Sequence, residues 1–247
     1  MWSGVGLGRD SPDKASVSPE LSVIVPTYME RENIAELIER IELSLSDVDF
    51  EIVIVDDSSP DGTAEYAESL GHLYGNVKVV KRPGKLGLSS AVLDGFMEAS
   101  GKVLAVIDAD LQHPPELLRK MYEMITRGHD LVIGSRYVTG GDIRGWGLRR
   151  RIISRVAVFL AHIMVPRSRK IKDAVSGFFM LKRCVVEGVP LNPVGFKILL
   201  EIVAKGRYEN FVEVPYTFQS RRKGRSSFNR KEAWNYIVHL SRLLRSK

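Results

Sequence analysis

The sequence predicts an α/β fold, a mostly parallel β-sheet with helices on both faces. Short runs rich in Val and Ile alternate with segments of helical period. The runs are apolar throughout rather than at every second residue, the pattern of strands buried on both faces. The polar clusters gather at the carboxyl ends of the runs, where such sheets bind their ligands. The first run, LSVIVPT at 21–27, ends in PTYMERE, with helical spacing over about 31–46. EIVIVDD at 51–57 leads into DDSSPDGT and a helix over about 62–72. VKVVKR at 77–82 precedes a helix over about 87–99, and KVLAVIDAD at 102–110 runs through DADLQHPP into one over about 115–127. DLVIGSRY at 130–137 closes the alternation. Beyond 140 the pattern loosens and basic residues accumulate.

With 247 residues, 44% of them hydrophobic, the chain can bury the core of one α/β domain, here assigned to 21–247. Residues 1–20 are polar, lack the apolar segment of a signal peptide and are expected to form a flexible tail. The lone cysteine, Cys184, rules out an intramolecular disulfide and fits a reducing compartment. A net charge of +6 calls for an anionic partner. Nucleic acid is disfavoured, because no recognisable module or interleaved surface aromatics accompany the charge. The apolar runs, such as VAVFLA at 156–161, fall far short of the roughly 18 residues of a spanning helix. LRRRIISRVAVFLAHIMV at 148–165 has helical period instead, giving an amphipathic helix over about 149–165. Ile152, Val156, Phe159 and Ile163 form its stripe, widened by Ile153, Leu160 and Met164, and four arginines from Arg149 to Arg155 mark its start. Such a helix either lies in a membrane interface or packs on the sheet. The last stretch, KEAWNYIVHLSRLLRSK, is also basic and amphipathic.

The stretch DADLQ carries the sharpest chemistry. Carboxylates as close as Asp108 and Asp110 repel unless a cation lies between them. In an extended backbone Asp108, Asp110 and Gln112 would alternate onto one side. A calcium-binding EF-hand fails, since its sixth position would be His113 rather than Gly and its twelfth Arg119 rather than Glu. Mg²⁺ or Mn²⁺ fits better, because these ions complete their shells with water and phosphate oxygens. No P-loop and no G-x-G-x-x-G is present, which disfavours a P-loop kinase and a dehydrogenase. Asp56 and Asp57 form a second carboxylate pair that needs donors or a cation, while Ser58 to Thr63 also suit a plain turn and helix cap. His113 and His162 read as a surface residue and a helix-face residue.

Eight motifs in order over about residues 20–245 carry a resemblance: VIVPTYMERENI, EIVIVDDSSPDGT, GLSSAV, DADLQHPPE, IGSRY, VSGFF, GFKILLE and EVPYTF. The set resembles the inverting nucleotide-sugar glycosyltransferases of the GT-A (Rossmann-like) fold, and among them the dolichol-phosphate (polyprenyl-phosphate) mannosyltransferases. The resemblance implies transfer of mannose from GDP-mannose to dolichyl phosphate on the cytosolic face of a membrane. It implies that Pro26, Tyr28 and Glu30 frame the base and ribose, and that Val55 and Asp57 contact the guanine. Asp108, Ala109, Asp110 and Gln112 would bind the diphosphate and metal, with Asp108, Asp110 and Gln112 as ligands of Mg²⁺ or Mn²⁺. Arg136, Lys197 and Arg221 would surround the sugar phosphates, and Arg136, Arg150 and Ser154 the acceptor phosphate. Asp110 and Arg136 would carry catalysis. Two positions depart from the family pattern: Met29, where Asn is usual, and Ser227, where relatives often have Lys. Family members often continue into membrane spans where this sequence stops, which leaves open a peripheral enzyme, a shortened chain, or one held by a separate membrane-anchoring subunit. Another donor such as UDP-glucose, or a non-catalytic nucleotide-sugar-binding subunit, also remain open. A phosphate monoester acceptor needs no general base, since its second pKa of about 6 leaves it largely ionised at pH 7. Direct displacement by it inverts the anomeric centre.

Overall fold

The computed structural model describes residues 18–219 and 230–245, so Arg221 and Ser227 lie outside the described residues, as do residues 1–17. Its main sheet has seven strands in the order β3-β2-β1-β4-β7-β5-β8. The strands are β1 (Leu21–Thr27), β2 (Phe50–Asp56), β3 (Val77–Lys81), β4 (Val103–Val106), β5 (Leu131–Ser135), β7 (Phe179–Lys182) and β8 (Phe211–Pro215). All pair in parallel except β7, which runs antiparallel between β4 and β5. A two-stranded ribbon, β6 (Asp142–Ile143) with β9 (Thr217–Phe218), stands beside it.

The helices are α1 (Ile34–Ser44), α2 (Thr63–Tyr74), α3 (Leu88–Glu98), α4 (Leu117–Thr126), α5 (Leu148–Met164), α6 (Ile198–Lys205) and α7 (Arg230–Arg245). They cover both faces of the sheet. On β1, Val23 and Val25 point into a core with Leu37 and Ile41 of α1 and Met121 of α4, while Ile24 points into the opposite core with Val92 of α3 and Leu199 of α6. That alternation is the period of two of an extended chain buried on both sides. Gly95 lets α3 approach closely, for an added Cβ would meet Ile24 Cγ1 and Val55 Cγ2 at 3.2 Å each.

Five strands and five helices lie within a residue or a few of the sequence expectation, with one instructive exception. The run 102–110 does not stay extended to Asp110: β4 stops at Val106 and a turn follows. Leu111 has φ 58°, so Asp108, Asp110 and Gln112 do not share one side of a strand.

Strain sits at the family departure. Met29 is half-exposed in the left-handed region, φ 59°, with its N–H donating to Ser59 Oγ at 2.9 Å. Asn tolerates this region far better than an unbranched apolar residue. Met29→Asn should therefore raise stability by about 0.5–1 kcal/mol in urea unfolding. An unchanged or lower midpoint would show that Met29 packs usefully where it stands.

Candidate active site

The carboxyl ends of β1, β2 and β4 and the segment after β5 bring the polar clusters together. At the end of β2, the two aspartates are satisfied by protein donors. Asp56 accepts from Thr27 Oγ1 at 2.9 Å, Ser59 N at 2.7 Å and Ser59 Oγ at 2.6 Å. Asp57 forms a buried ion pair with Arg82 Nη1 and accepts from Gly87 N at 2.8 Å. Arg82 also reaches Asp94 Oδ2 and Ser90 Oγ, both at 2.8 Å. The positive partner this carboxylate pair demanded is thus Arg82. Asp57 grips the 82–90 segment with both oxygens, and each carboxylate oxygen keeps a second lone pair for a further donor. Val55 is fully buried against α3, and its side chain faces the core. Pro26 lies within β1 opposite Val55, Glu30 is buried and accepts from Asn33 Nδ2 at 2.6 Å, and Tyr28 lies beneath Lys85 Nζ, 3.5 Å from its ring centre.

After β4 the turn 107–112 presents its oxygens differently from an alternating strand. Asp110 Oδ1 accepts from Gln112 N at 3.1 Å, and Ala109 is buried in the core. Gln112 Nε2 donates to Gln219 O at 2.9 Å, and Gln219 N returns a bond to Gln112 O at 3.1 Å. The end of β9 is thereby pinned to the turn. Asp108 Oδ2 lies 3.2 Å from His113 Nε2, while its Oδ1 is buried with no protein donor. His113 is not a surface residue. It is 2% exposed, with ring centres of Phe178, Tyr216 and Phe218 at 5.3–5.4 Å. Distant segments supply those rings, which is why local sequence misplaces it. His162, in contrast, is a helix-face residue as expected, its Nε2 2.8 Å from Ile171 O.

Arg136 follows β5 and is almost fully buried. Its Nε and Nη2 fork onto Asp173 at 2.7 Å each, and its backbone N–H donates to Asp173 Oδ2 at 3.0 Å. The guanidinium also stacks 5.3–5.7 Å from the ring centres of Tyr137, Trp146 and Phe218. Burial works against its charge, but the Asp173 carboxylate more than offsets that and raises its pKa. Lys197 donates to Val175 O at 2.9 Å. Burial, then the positive charges of Arg136 and Arg150, bring its pKa down to about 7, although Asp173 and Asp108 oppose the shift. These four charges define a compact, mixed electrostatic site around one lysine. At its outer edge Arg150 stacks on Trp146 at 4.1 Å, and Tyr137 Oη donates to Ser154 Oγ at 2.8 Å. The hydroxyl of Ser154 keeps its own proton for a further acceptor.

The structure therefore draws Asp108, Arg136, Lys197 and Arg150 together, and seats Ser154 on α5 behind Tyr137. Sequence reasoning missed Arg82, His113 and Asp173. Only Arg82 left a signal, a lone arginine at the end of the third strand run. Among the described residues no group of three or more His, Cys, Asp or Glu gathers as a cation site.

Residues 22–189 match the family described as Glycosyl transferase family 2. The dolichol-phosphate mannosyltransferase of Saccharomyces cerevisiae is 39% identical over 239 residues, covering 92% of this chain and 88% of that protein. The chain belongs to glycosyl transferase family 2, among its dolichol-phosphate mannosyltransferases. The relative of the same name from Pyrococcus furiosus is 52% identical over 226 residues, 92% of this chain, and the chain spans 64% of its length. Two solved structures share the fold of this chain at low identity. Glucosyl-3-phosphoglycerate synthase from Mycobacterium tuberculosis with Mn²⁺, UDP and glucosyl-3-phosphoglycerate superposes with TM-score 0.66 and 20% identity, over 100% of this chain and 86% of that one. The same enzyme with Mg²⁺ and UDP gives 0.65 and 20%, over 92% and 79%. The expected GT-A architecture is the one observed.

Proposed function

We propose that the chain transfers mannose from GDP-mannose to dolichyl phosphate at a membrane surface, with inversion and with a divalent cation. The observation that carries this reading is the cluster of Asp108, Arg136, Lys197 and Arg150 at the carboxyl ends of the strands, beside the exposed apolar stripe of α5. One charged wall suits a nucleoside diphosphate, and the adjoining stripe suits a lipid acceptor.

The residues fit Mg²⁺ or Mn²⁺ at the turn 107–112. A buried carboxylate oxygen without a donor, such as Asp108 Oδ1, is costly unless a cation satisfies it. Asp108 and Asp110 would hold the ion, and Gln112, whose amide nitrogen is taken by Gln219, can offer only its carbonyl oxygen. When bound, such an ion neutralises charge that grows on the leaving diphosphate. Arg136, held rigid by Asp173, and Lys197 face the same oxygens and add fixed positive charge there. Arg150 and Ser154 hold the phosphate of the acceptor in line with the anomeric carbon. Tyr28 and Glu30 line the nucleoside end. Asp57 contributes there by fixing the 82–90 segment, and Val55 and Pro26 contribute backbone only.

No helix among the described residues is long and apolar enough to cross a membrane. On α5, Leu148, Ile152, Val156, Phe159 and Ile163 are exposed, and Trp234, Ile237 and Leu244 are exposed on α7, which packs against α5 through Tyr236 Oη to Ala157 O at 2.6 Å. Apolar faces of this size on adjacent helices suit an interface with lipid.

The direct test is a panel of radiolabelled nucleotide sugars with dolichyl phosphate and Mn²⁺ or Mg²⁺. Label should enter the organic phase only from GDP-mannose, and equal transfer from UDP-glucose would overturn the donor assignment. Arg150→Ala should raise KM for the lipid phosphate about tenfold to a hundredfold, the value of one charge-assisted bond, with little change in GDP-mannose binding. Phe159→Ser with Ile163→Ser should release the protein from anionic liposomes while sparing turnover on a short, soluble acceptor. Equal loss of donor and acceptor affinity in Arg150→Ala would sink the acceptor assignment. Lys197 gives a further check. Its pKa of about 7 leaves it mostly neutral at pH 8 in the free protein, and a bound diphosphate favours the charged form. GDP binding with Mn²⁺ at pH 8 should take up about one proton, read by calorimetry in buffers of different ionisation enthalpy. Lys197→Met should abolish that uptake, and an uptake left intact in that variant would place Lys197 outside the diphosphate site.

A further inference from the structure

Lys197 is the last residue of an irregular loop, 190–197, that joins the sheet to α6. Such a loop can hold an ammonium in place only if something seats its backbone. Three bonds do so. Asn192 N donates to Glu201 Oε1 at 2.7 Å, Val194 N donates to His239 Nδ1 at 3.1 Å, and Ser89 N donates to Gly195 O at 3.3 Å. Gly195 has φ 79° and lies hard against α7, where an added Cβ would meet Asn235 Cβ at 3.1 Å and Glu232 Oε2 at 3.2 Å.

Of the three anchors, His239 stands apart. It is the one side-chain anchor from outside the loop and the helix that follows it, it comes from α7, and it is 1% exposed. Glu201, also 1% exposed, has Oε2 at 3.8 Å from the same ring nitrogen and Oε1 engaged by Lys205 at 2.6 Å. To accept from Val194, Nδ1 must be unprotonated, which puts the ring hydrogen on Nε2. A buried histidine on a helix whose other face is exposed and apolar is more than core filling needs, since an apolar side chain would fill the space without a desolvation cost.

We propose that His239 is a positioning residue for the transfer reaction: by accepting the Val194 N–H it seats loop 190–197 and so fixes the Lys197 ammonium in the donor diphosphate site. This rests on the assignment of Lys197 to that site. α7 therefore contributes to donor binding through the backbone of the loop it seats.

The experiment is a double-mutant cycle on GDP binding in the presence of Mn²⁺, measured by calorimetry. His239→Leu should weaken GDP binding about tenfold in the Lys197 protein and less than about twofold in Lys197→Met, because the lost hydrogen bond matters only through the lysine. His239→Asn places an amide oxygen near the position of Nδ1 and should recover binding to within about threefold of the parent. His239→Gln sets its oxygen one bond farther and should not. Equal weakening by His239→Leu in both backgrounds, or an Asn variant as poor as Leu, would overturn the proposal while leaving Lys197 in the site. Parent-like binding by Lys197→Met alone would remove the assignment of Lys197 itself. If His239→Leu does not fold, the Asn and Gln variants decide the matter, and equal binding by those two overturns the proposal.

Discussion

Asp110→Asn should lower sugar transfer by about a hundredfold or more and leave the fold intact. The exchange is nearly isosteric. Asp110 uses Oδ1 to accept the Gln112 N–H at 3.1 Å, and an asparagine oxygen can keep that bond. The turn 107–112 should survive, along with the two bonds that tie Gln112 to Gln219. Only the negative charge is lost, and a hard divalent cation responds to charge more than to shape. The variant should bind Mn²⁺ more weakly, read by electron paramagnetic resonance without substrate, and its melting temperature should stay within about 2 °C of the parent. Near-parent turnover at limiting Mn²⁺ would show that Asp110 is not a metal ligand. Asp108→Asn makes a useful contrast. There the carboxylate also faces His113 Nε2 at 3.2 Å, so that exchange disturbs the aromatic cluster under the site as well as its charge.

The sheet was legible because its strands are buried on both faces and so appear as unbroken Val and Ile runs. The candidate site was legible where a polar cluster directly followed such a run, as at Asp56, Asp108 and Arg136. Legibility ended where distant segments meet. FMLK at 179–182 is apolar like the other runs, but nothing local shows that it inserts antiparallel between β4 and β5. His113 reads as a surface residue because its neighbours are prolines and polar groups, yet Phe178, Tyr216 and Phe218 close over it from far along the chain. The expected alternation of Asp108, Asp110 and Gln112 assumed a strand that continued. Leu111, at φ 58°, turns the chain instead, a conformation that leucine composition gives no reason to expect. The stripe on α5 was legible as a period, but whether it faced the sheet or solvent required the tertiary structure, which leaves Phe159 and Ile163 exposed.

Asp173→Ala should cost about 3–5 kcal/mol of stability. Asp173 is fully buried and takes three bonds from Arg136, two from the guanidinium at 2.7 Å and one from the backbone at 3.0 Å. Its own backbone N–H donates to Glu213 Oε1 at 3.0 Å, which ties the pair to β8. Removing the carboxylate leaves a guanidinium 8% exposed among Tyr137, Trp146 and Phe218 with no counter-charge. The cost is that of an unpaired buried charge, not the net value of the pair, so the two are separable. Arg136→Met with Asp173→Leu removes both charges and fills their space with apolar atoms. It should regain most of the lost stability in urea unfolding, to within about 1–2 kcal/mol of the parent. With Arg136 beside the diphosphate as proposed, it should nevertheless transfer no sugar. A double variant as unstable as Asp173→Ala would mean that the carboxylate organises the fold itself, through the bond it accepts from the Arg136 backbone N–H. A stable double variant that still transferred mannose would remove Arg136 from the reaction and leave Asp108, Lys197 and the cation to stabilise the leaving diphosphate.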